Sequence, residues 1–260
     1  MKVAILYICT GKYNQFFADF YHSCEIYFLK GIASVEYFVF TDDLKLSSDK
    51  RVHLFEKKCQ GFPLDSLFRF EMFLSIKERL KEFDYTFFFN ANMLFVAPIG
   101  EEFLPQKEKL MAVIHPGFYN KPAILYPYER NRKSTAYIPK STKEYHYYMG
   151  SLNGGTTCDY FDLVETCAEN TRIDYAAGLI ASVHDESHLN KYLSEHICLG
   201  LSPAYAYPED WNLPFEPKII LRDKVKIDPY FNKGRDHSLW GKAKKGIRIA
   251  TNALRWYLKF

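Results

Sequence analysis

The sequence predicts an α/β fold: one domain over residues 1–235 with a mixed, mostly parallel central sheet, then a basic amphipathic segment over 236–260. Three observations carry this expectation. Apolar runs of strand length alternate with stretches whose apolar residues recur at helical spacing, the pattern of parallel strands joined by crossover helices. The aromatic run Tyr85–Phe89 stops at the polar Asn90-Ala91-Asn92, as a buried strand does at the carboxyl edge where open α/β sheets bind ligands. Apolar residues make up 48% of the 260 and aromatics 17%, enough for a large core and too many for a disordered chain.

Taken in order, Lys2 to Ile8 reads as a first strand. Gln15 to Leu29 reads as a helix through Phe16, Phe20, Cys24 and Tyr27, and Val35 to Phe40 as a second strand ending at Thr41-Asp42-Asp43. Val52 to Phe55 is a candidate third strand. A helix from about Ser66 to Glu82 follows, its stripe set by Leu67, Phe70, Phe73, Leu74, Lys77 and Leu80, with Asp65 or Ser66 as N-cap. The Pro-, Tyr- and Arg-rich stretch from 116 to 141 reads as irregular loop. Tyr145 to Leu152 is strand-like and ends at Asn153-Gly154-Gly155, with helices expected over Cys158–Asn170 and Asp185–Ser194. Ser202–Pro217, with its four prolines, reads as loop, and Lys218–Arg222 as a late strand.

The formal net charge of +3 is too mild for a nucleic-acid partner, and none is expected. Six cysteines, none in a C-x-x-C pair, read as reduced thiols. The opening MKVAILYICTGKYNQ is too short for a signal-peptide core with its cleavage site, and no uncharged stretch reaches the roughly 18 residues of a membrane span. The expected location is therefore the cytoplasm, or the inner face of the cell membrane through the tail. Residues 242–259 carry six basic side chains and no acid. Wound as a helix they place Ile247, Ala250, Leu254 and Leu258 on one side, fitting either an interfacial helix on anionic lipid or a helix docked on the domain.

Four stretches carry candidate chemistry. In HDESHLNK (184–191), His184 and His188 lie one helical turn apart, a near-match to the zinc peptidase motif H-E-x-x-H with Asp185 where that motif has Glu. A zinc-dependent hydrolase is one reading, a solvated helix start another. The third is a carboxylate site in which Asp185 and Glu186 take different roles, as at the anomeric carbon in glycosyl chemistry. HPGFYNK (115–121) displays His115 on a turn, and YYMGSLNGG (147–155) runs a strand into small residues that allow close approach or form a turn. In LRDKVK (221–226), Arg222, Lys224 and Lys226 alternate and would share one face if extended. Asn90 and Asn92 offer only neutral oxygens, whereas Mg²⁺ or Mn²⁺ needs anionic ones, so no metal cofactor is expected. The amides are expected to donate to diphosphate or sugar oxygens instead.

Together YICTGKY (7–13), YFVFTDD (37–43), NAN (90–92), HPGFY (115–119), YER (128–130), TAYIP (135–139), YYMGSLNGG, HDESHLNKY (184–192) and LSPAY (201–205) resemble glycosyltransferase family 6. That family includes the blood-group A and B transferases and mammalian α-1,3-galactosyltransferase; the N-x-N motif resembles its bacterial members. The resemblance implies a GT-A fold and retaining transfer of galactose or N-acetylgalactosamine from UDP-Gal or UDP-GalNAc, in α-1,3 linkage, to a galactose. That acceptor would sit on an oligosaccharide or lipid-linked glycan and commonly be fucosylated. By resemblance Ile8, Thr10 and Tyr13 hold the nucleoside. Because no metal is expected, Arg222, Lys224 and Lys226, with Lys224 foremost, are expected to offset the charge of the leaving UDP, and Asn92 to donate to the diphosphate. Asp185, Arg69, Asn90, Met149, Ser151 and His184 would surround the donor sugar, with Ser151 and Met149 favouring galactose. Glu186 would be the catalytic group and touch the acceptor, which His115 contacts. Val183 and Pro127 stand where mammalian members carry an aromatic residue and a threonine. A catalytically idle glycan- or UDP-sugar-binding protein is a further alternative.

Overall fold

The computed structural model describes residues 1–140 and 145–232, together with Ile247, Ala250, Thr251 and Leu254. Those last four are helical and exposed; otherwise the basic segment expected over 236–260 lies outside the described residues. The strands are β1 (Lys2–Ile8), β2 (Ser34–Thr41), β3 (Val52–Glu56), β4 (Tyr85–Phe89) and β5 (Met93–Phe95), then β6 (Leu110–Ile114), β7 (Tyr148–Thr156), β8 (Leu199–Leu201), β9 (Tyr207–Pro208) and β10 (Ile219–Leu221). The helices are α1 (Phe17–Tyr27), α2 (Leu64–Leu67), α3 (Arg69–Leu74), α4 (Lys77–Leu80), α5 (Thr157–Ala176), α6 (His184–Leu193) and α7 (Lys224–Ile227).

Seven strands form the main sheet in the order β3-β2-β1-β4-β7-β6-β8. Its pairs are parallel except those that β7 makes with β4 and β6, so the expected mixed, mostly parallel α/β sheet of a GT-A fold is present. Central β4 shows why aromatics suit it. Phe87 and Phe89 enter the core layer of Phe17, Phe20 and Phe28, on and just beyond α1, while Phe88 enters the opposite layer with Phe70, Phe73, Tyr160 and Val164. A strand covered on both faces needs apolar residues at every position. A second sheet of β5, β10 and β9 closes the far side.

Reversed β7 is the element that organises the site. Phe89 at the end of β4 pairs with Leu152, and the Asn90 N–H donates to the Ser151 carbonyl at 2.8 Å. Tyr148–Ser151 are thereby laid against the carboxyl edge of β4. The strand runs through Asn153-Gly154-Gly155 rather than ending there, which corrects the expected boundary. Gly154 is dictated by closeness: a Cβ on it would stand 2.3 Å from Phe87 Cδ1 and 2.4 Å from the Thr86 carbonyl oxygen.

Other boundaries also moved. The expected helix over 66–82 is three short pieces, α2 to α4, interrupted at Phe68 (φ −97°, ψ 21°) and Ile76 (φ −120°, ψ 9°). Its cap is Pro63, because Asp65 is occupied by the preceding loop, accepting from the Gln60 and Gly61 N–H groups and from Lys57. The helix expected from Gln15 opens as a 3₁₀ turn over Gly11–Phe16. Within the expected loop Ser202–Pro217 lie a 3₁₀ turn, Pro203–Ala206, and the short β9. Strands β6 and β8 had no counterpart in the sequence reading.

Candidate active site

At the start of α6, Asp185 and Glu186 turn toward β7 and α3. His184 takes the left-handed region at φ 50°, a sharp entry that sets the first helical turn against the sheet. Arg69, aimed from the break at Phe68, donates to the Gly150 carbonyl at 2.7 Å and pairs with Asp185 at 3.0 Å, its guanidinium 4.3 Å from the Phe88 ring centroid. Burial raises the Asp185 carboxyl above its ordinary range, and the Arg69 charge offsets part of that. Glu186 accepts from the Gly150 N–H at 2.6 Å and from the Tyr147 hydroxyl. Burial nonetheless pushes its carboxyl up to about 7.

Asn190 holds the two elements together. Its amide accepts from the Tyr148 N–H at 2.9 Å and donates to the Tyr148 carbonyl at 2.7 Å, completing β7 as a neighbouring strand would. Among the described residues the buried Ser151 hydroxyl has no hydrogen-bond partner, and Met149 is almost fully buried. One turn along α6 from His184, buried His188 makes no hydrogen bond through either ring nitrogen to a described residue and lies 3.9 Å from Asp174, while His184 packs edge-on against Phe62. Among the described residues no three His, Cys, Asp or Glu side chains gather to hold a metal ion, so the zinc reading has no support.

The other end of the edge is cationic and aromatic. Ile8 ends β1, and nearly buried Thr10 begins the turn that presents half-buried Tyr13. Asp42 fixes that turn, accepting from the Gly11 N–H at 2.9 Å and the Asn14 amide at 2.8 Å. The expected extended face of Arg222, Lys224 and Lys226 is corrected: the chain leaves β10 and winds into α7, sending the three side chains apart. Arg222 pairs with Asp19 at 2.7 Å and Lys226 with Asp210. The Lys224 ammonium lies 3.1 Å from the Tyr13 hydroxyl. Asn90 donates to the Asn92 side-chain oxygen and Asn92 to the Arg222 carbonyl, both at 2.8 Å, so the amides tie this segment to the end of β4.

The His115 ring centroid is 5.7 Å from that of Tyr147, whose hydroxyl holds Glu186. Its Nδ1 accepts from the Gly117 N–H at 2.9 Å, leaving Nε2 to carry the proton, and burial lowers its pKa to about 4. It is a neutral donor at physiological pH.

The model of glycosyltransferase family 6 matches residues 1–228. The chain belongs to that family. Among family 6 relatives, the O-antigen biosynthesis glycosyltransferase WbnI of Escherichia coli is 40% identical over 236 residues, covering 89% of this chain and 99% of the relative. Globoside α-1,3-N-acetylgalactosaminyltransferase 1 of Gallus gallus is 32% identical over 91% of this chain and 70% of its own. Histo-blood group ABO system transferase 1 of Rattus norvegicus is 34% identical over 80% of this chain and 61% of its own. Family 6 membership makes the protein a glycosyltransferase, a class that joins a nucleotide-sugar donor to a glycan acceptor. The family 6 motifs gather at one sheet edge, and the reading from residues missed Tyr147, Gly150 and Asn190, whose roles run through backbone atoms and a hydroxyl. All three stood inside quoted motifs, which was the only signal. Among the described residues no helix is long and apolar enough to cross a membrane.

Proposed function

We propose that this protein transfers galactose, or N-acetylgalactosamine, from its UDP-sugar to the 3-hydroxyl of an acceptor galactose with retention of the α configuration and without a metal. The observation that carries the reading is the buried pair Asp185–Glu186 at the β7 edge, with Lys224 at Tyr13 on the nucleotide side. Asp185 and Arg69 orient the donor sugar's hydroxyls. Glu186 lies beneath the anomeric carbon, as nucleophile or as stabiliser of positive charge. The bond from that carbon to the phosphate oxygen breaks, a bond to the acceptor O3 forms, and the acceptor proton leaves with UDP. His115 donates from Nε2 to an acceptor hydroxyl.

The developing charge on UDP has to be offset, and neutral Asn90 and Asn92, already bonded to each other and to Arg222, are a poor donor set for a hard cation. Lys224 is the cation of this segment set against the Tyr13 hydroxyl, and a preorganised charge at a leaving group contributes about 3 kcal/mol to the transition state. The unpartnered Ser151 hydroxyl favours galactose, whose 2-hydroxyl it would meet where an acetamido group needs more room. The globoside α-1,3-N-acetylgalactosaminyltransferase relative supports the α-1,3 linkage, the histo-blood group relative a blood-group-like acceptor, and the O-antigen relative a bacterial glycan.

Glu186→Gln tests the reading: UDP binding is expected to persist while transfer from UDP-galactose falls at least about a thousandfold. Transfer surviving the substitution would refute it. With one acceptor, UDP-galactose is expected to outpace UDP-N-acetylgalactosamine, and the reverse order would overturn the donor assignment.

A further inference from the structure

We infer that Trp211 is the platform on which the acceptor sugar stacks, and hence a determinant of acceptor specificity. The inference rests on the acceptor assignment proposed above and extends it to a residue outside the motifs that carry the family resemblance.

Trp211 is 49% exposed although its backbone is held from several directions. Its N–H donates to the Pro208 carbonyl at 3.0 Å. The Tyr207 hydroxyl donates to its carbonyl at 2.8 Å and accepts from the Leu213 N–H at 2.8 Å. The preceding Glu209 N–H donates to the Leu221 carbonyl at 3.1 Å, and the Glu209 carboxylate accepts from the Asp223 N–H at 2.8 Å. A loop this firmly tied that leaves half an indole in water gives up the burial such a ring normally contributes. Pinned aromatic side chains with a free face are what carbohydrate sites use, since a rigid ring loses little entropy on binding.

Position identifies the occupant. A Cβ on Gly117 would meet His115 Cε1 at 3.1 Å and Trp211 Cη2 at 3.7 Å, so imidazole and indole border the same space. The same His115 ring neighbours Tyr147, whose hydroxyl reaches Glu186. The Tyr119 and Phe215 rings, with centroids 5.2 Å apart, brace the two loops against each other. A galactose bound to His115 has one flank of C–H groups, left by its axial 4-hydroxyl, free of oxygen; an indole is the complementary surface. The loop is joined through Asp210 to Lys226 and through Glu209 to Asp223, which fixes the platform relative to the Lys224 segment.

The test compares the unsubstituted 260-residue chain with W211A and W211F, using UDP-galactose with methyl β-galactoside and with its α-1,2-fucosylated counterpart, alongside acceptor-free hydrolysis of UDP-galactose. The acceptor KM of W211A is expected to rise about tenfold, with donor KM and acceptor-free hydrolysis within about twofold of wild type and most of the loss recovered in W211F. An unchanged acceptor KM in W211A overturns the inference alone. So does a parallel fall in acceptor-free hydrolysis that W211F does not repair, which would make Trp211 a strut for the Lys224 segment. Wild-type protein that hydrolyses UDP-galactose but elongates neither galactoside overturns the acceptor assignment and this inference together.

Discussion

Glu186 meets two donors, the Gly150 N–H and the Tyr147 hydroxyl, and is still held at about 7 because burial disfavours its charge more than those bonds favour it. The ionised form is the one that attacks or stabilises an anomeric centre. Transfer is therefore expected to rise with pH through about 7 and then level, an ascending limb to be read from kcat/KM. A flat profile from pH 5 to about 8 would contradict the role given to this carboxyl. The same shift bears on stability with the opposite sign. The folded chain holds this proton more tightly than the unfolded one, so its contribution is present below the ordinary value of 4.5 and is lost as pH rises toward about 7. His115 has no part in that limb, since burial keeps it neutral down to about 4.

At the scale of elements, β7 and α6 act as one unit, joined by Asn190 and by the carboxylate of Glu186 on the Gly150 N–H. The unit depends on the glycines that let β4 and β7 come close. Gly154→Ala is expected to cost about 3 kcal/mol or more in denaturant unfolding, because its methyl would overlap Phe87 and the Thr86 carbonyl. A loss within experimental error would mean that β7 does not lie where the register puts it. Legibility differed from element to element: α6 lies within one residue of its expected bounds, whereas β7 runs from Tyr148 to Thr156 rather than from Tyr145 to Leu152. Tyr85–Phe89 is apolar at every position, which a doubly covered strand requires, and its bounds came out as read. The stripe from Leu67 to Leu80 has helical spacing throughout, yet the chain breaks at Phe68 and again at Ile76, and Arg69 at the first break reaches Gly150 and Asp185. Periodicity cannot register such a break, because it is set by partners far along the chain. Three-residue β8 is too short for any period, whereas Leu110–Ile114 is an apolar run of strand length that could have been recognised.

Across the whole molecule, β7 of the main sheet and the helix α6 packed on it carry the groups proposed for the donor sugar, and the small sheet leads into the cations beyond β10; Asn90 and Asn92 join the two. The family motifs marked nearly every group at this edge, but not which way the three cations after β10 would point. That depends on α7, and on Asp19 and Asp210 taking Arg222 and Lys226 into ion pairs. Lys224→Ala is expected to lower kcat about a hundredfold, and Lys226→Ala, which removes an exposed ion pair, less than about threefold. Equal effects of the two would place the leaving-group charge elsewhere. Behind this assignment stands the claim that the polypeptide itself neutralises UDP as it departs. The direct measurement is the initial rate of transfer from UDP-galactose in EDTA, with and without Mn²⁺ added back in excess. The account predicts the same rate in both; a rate abolished by EDTA and restored by Mn²⁺ would contradict it.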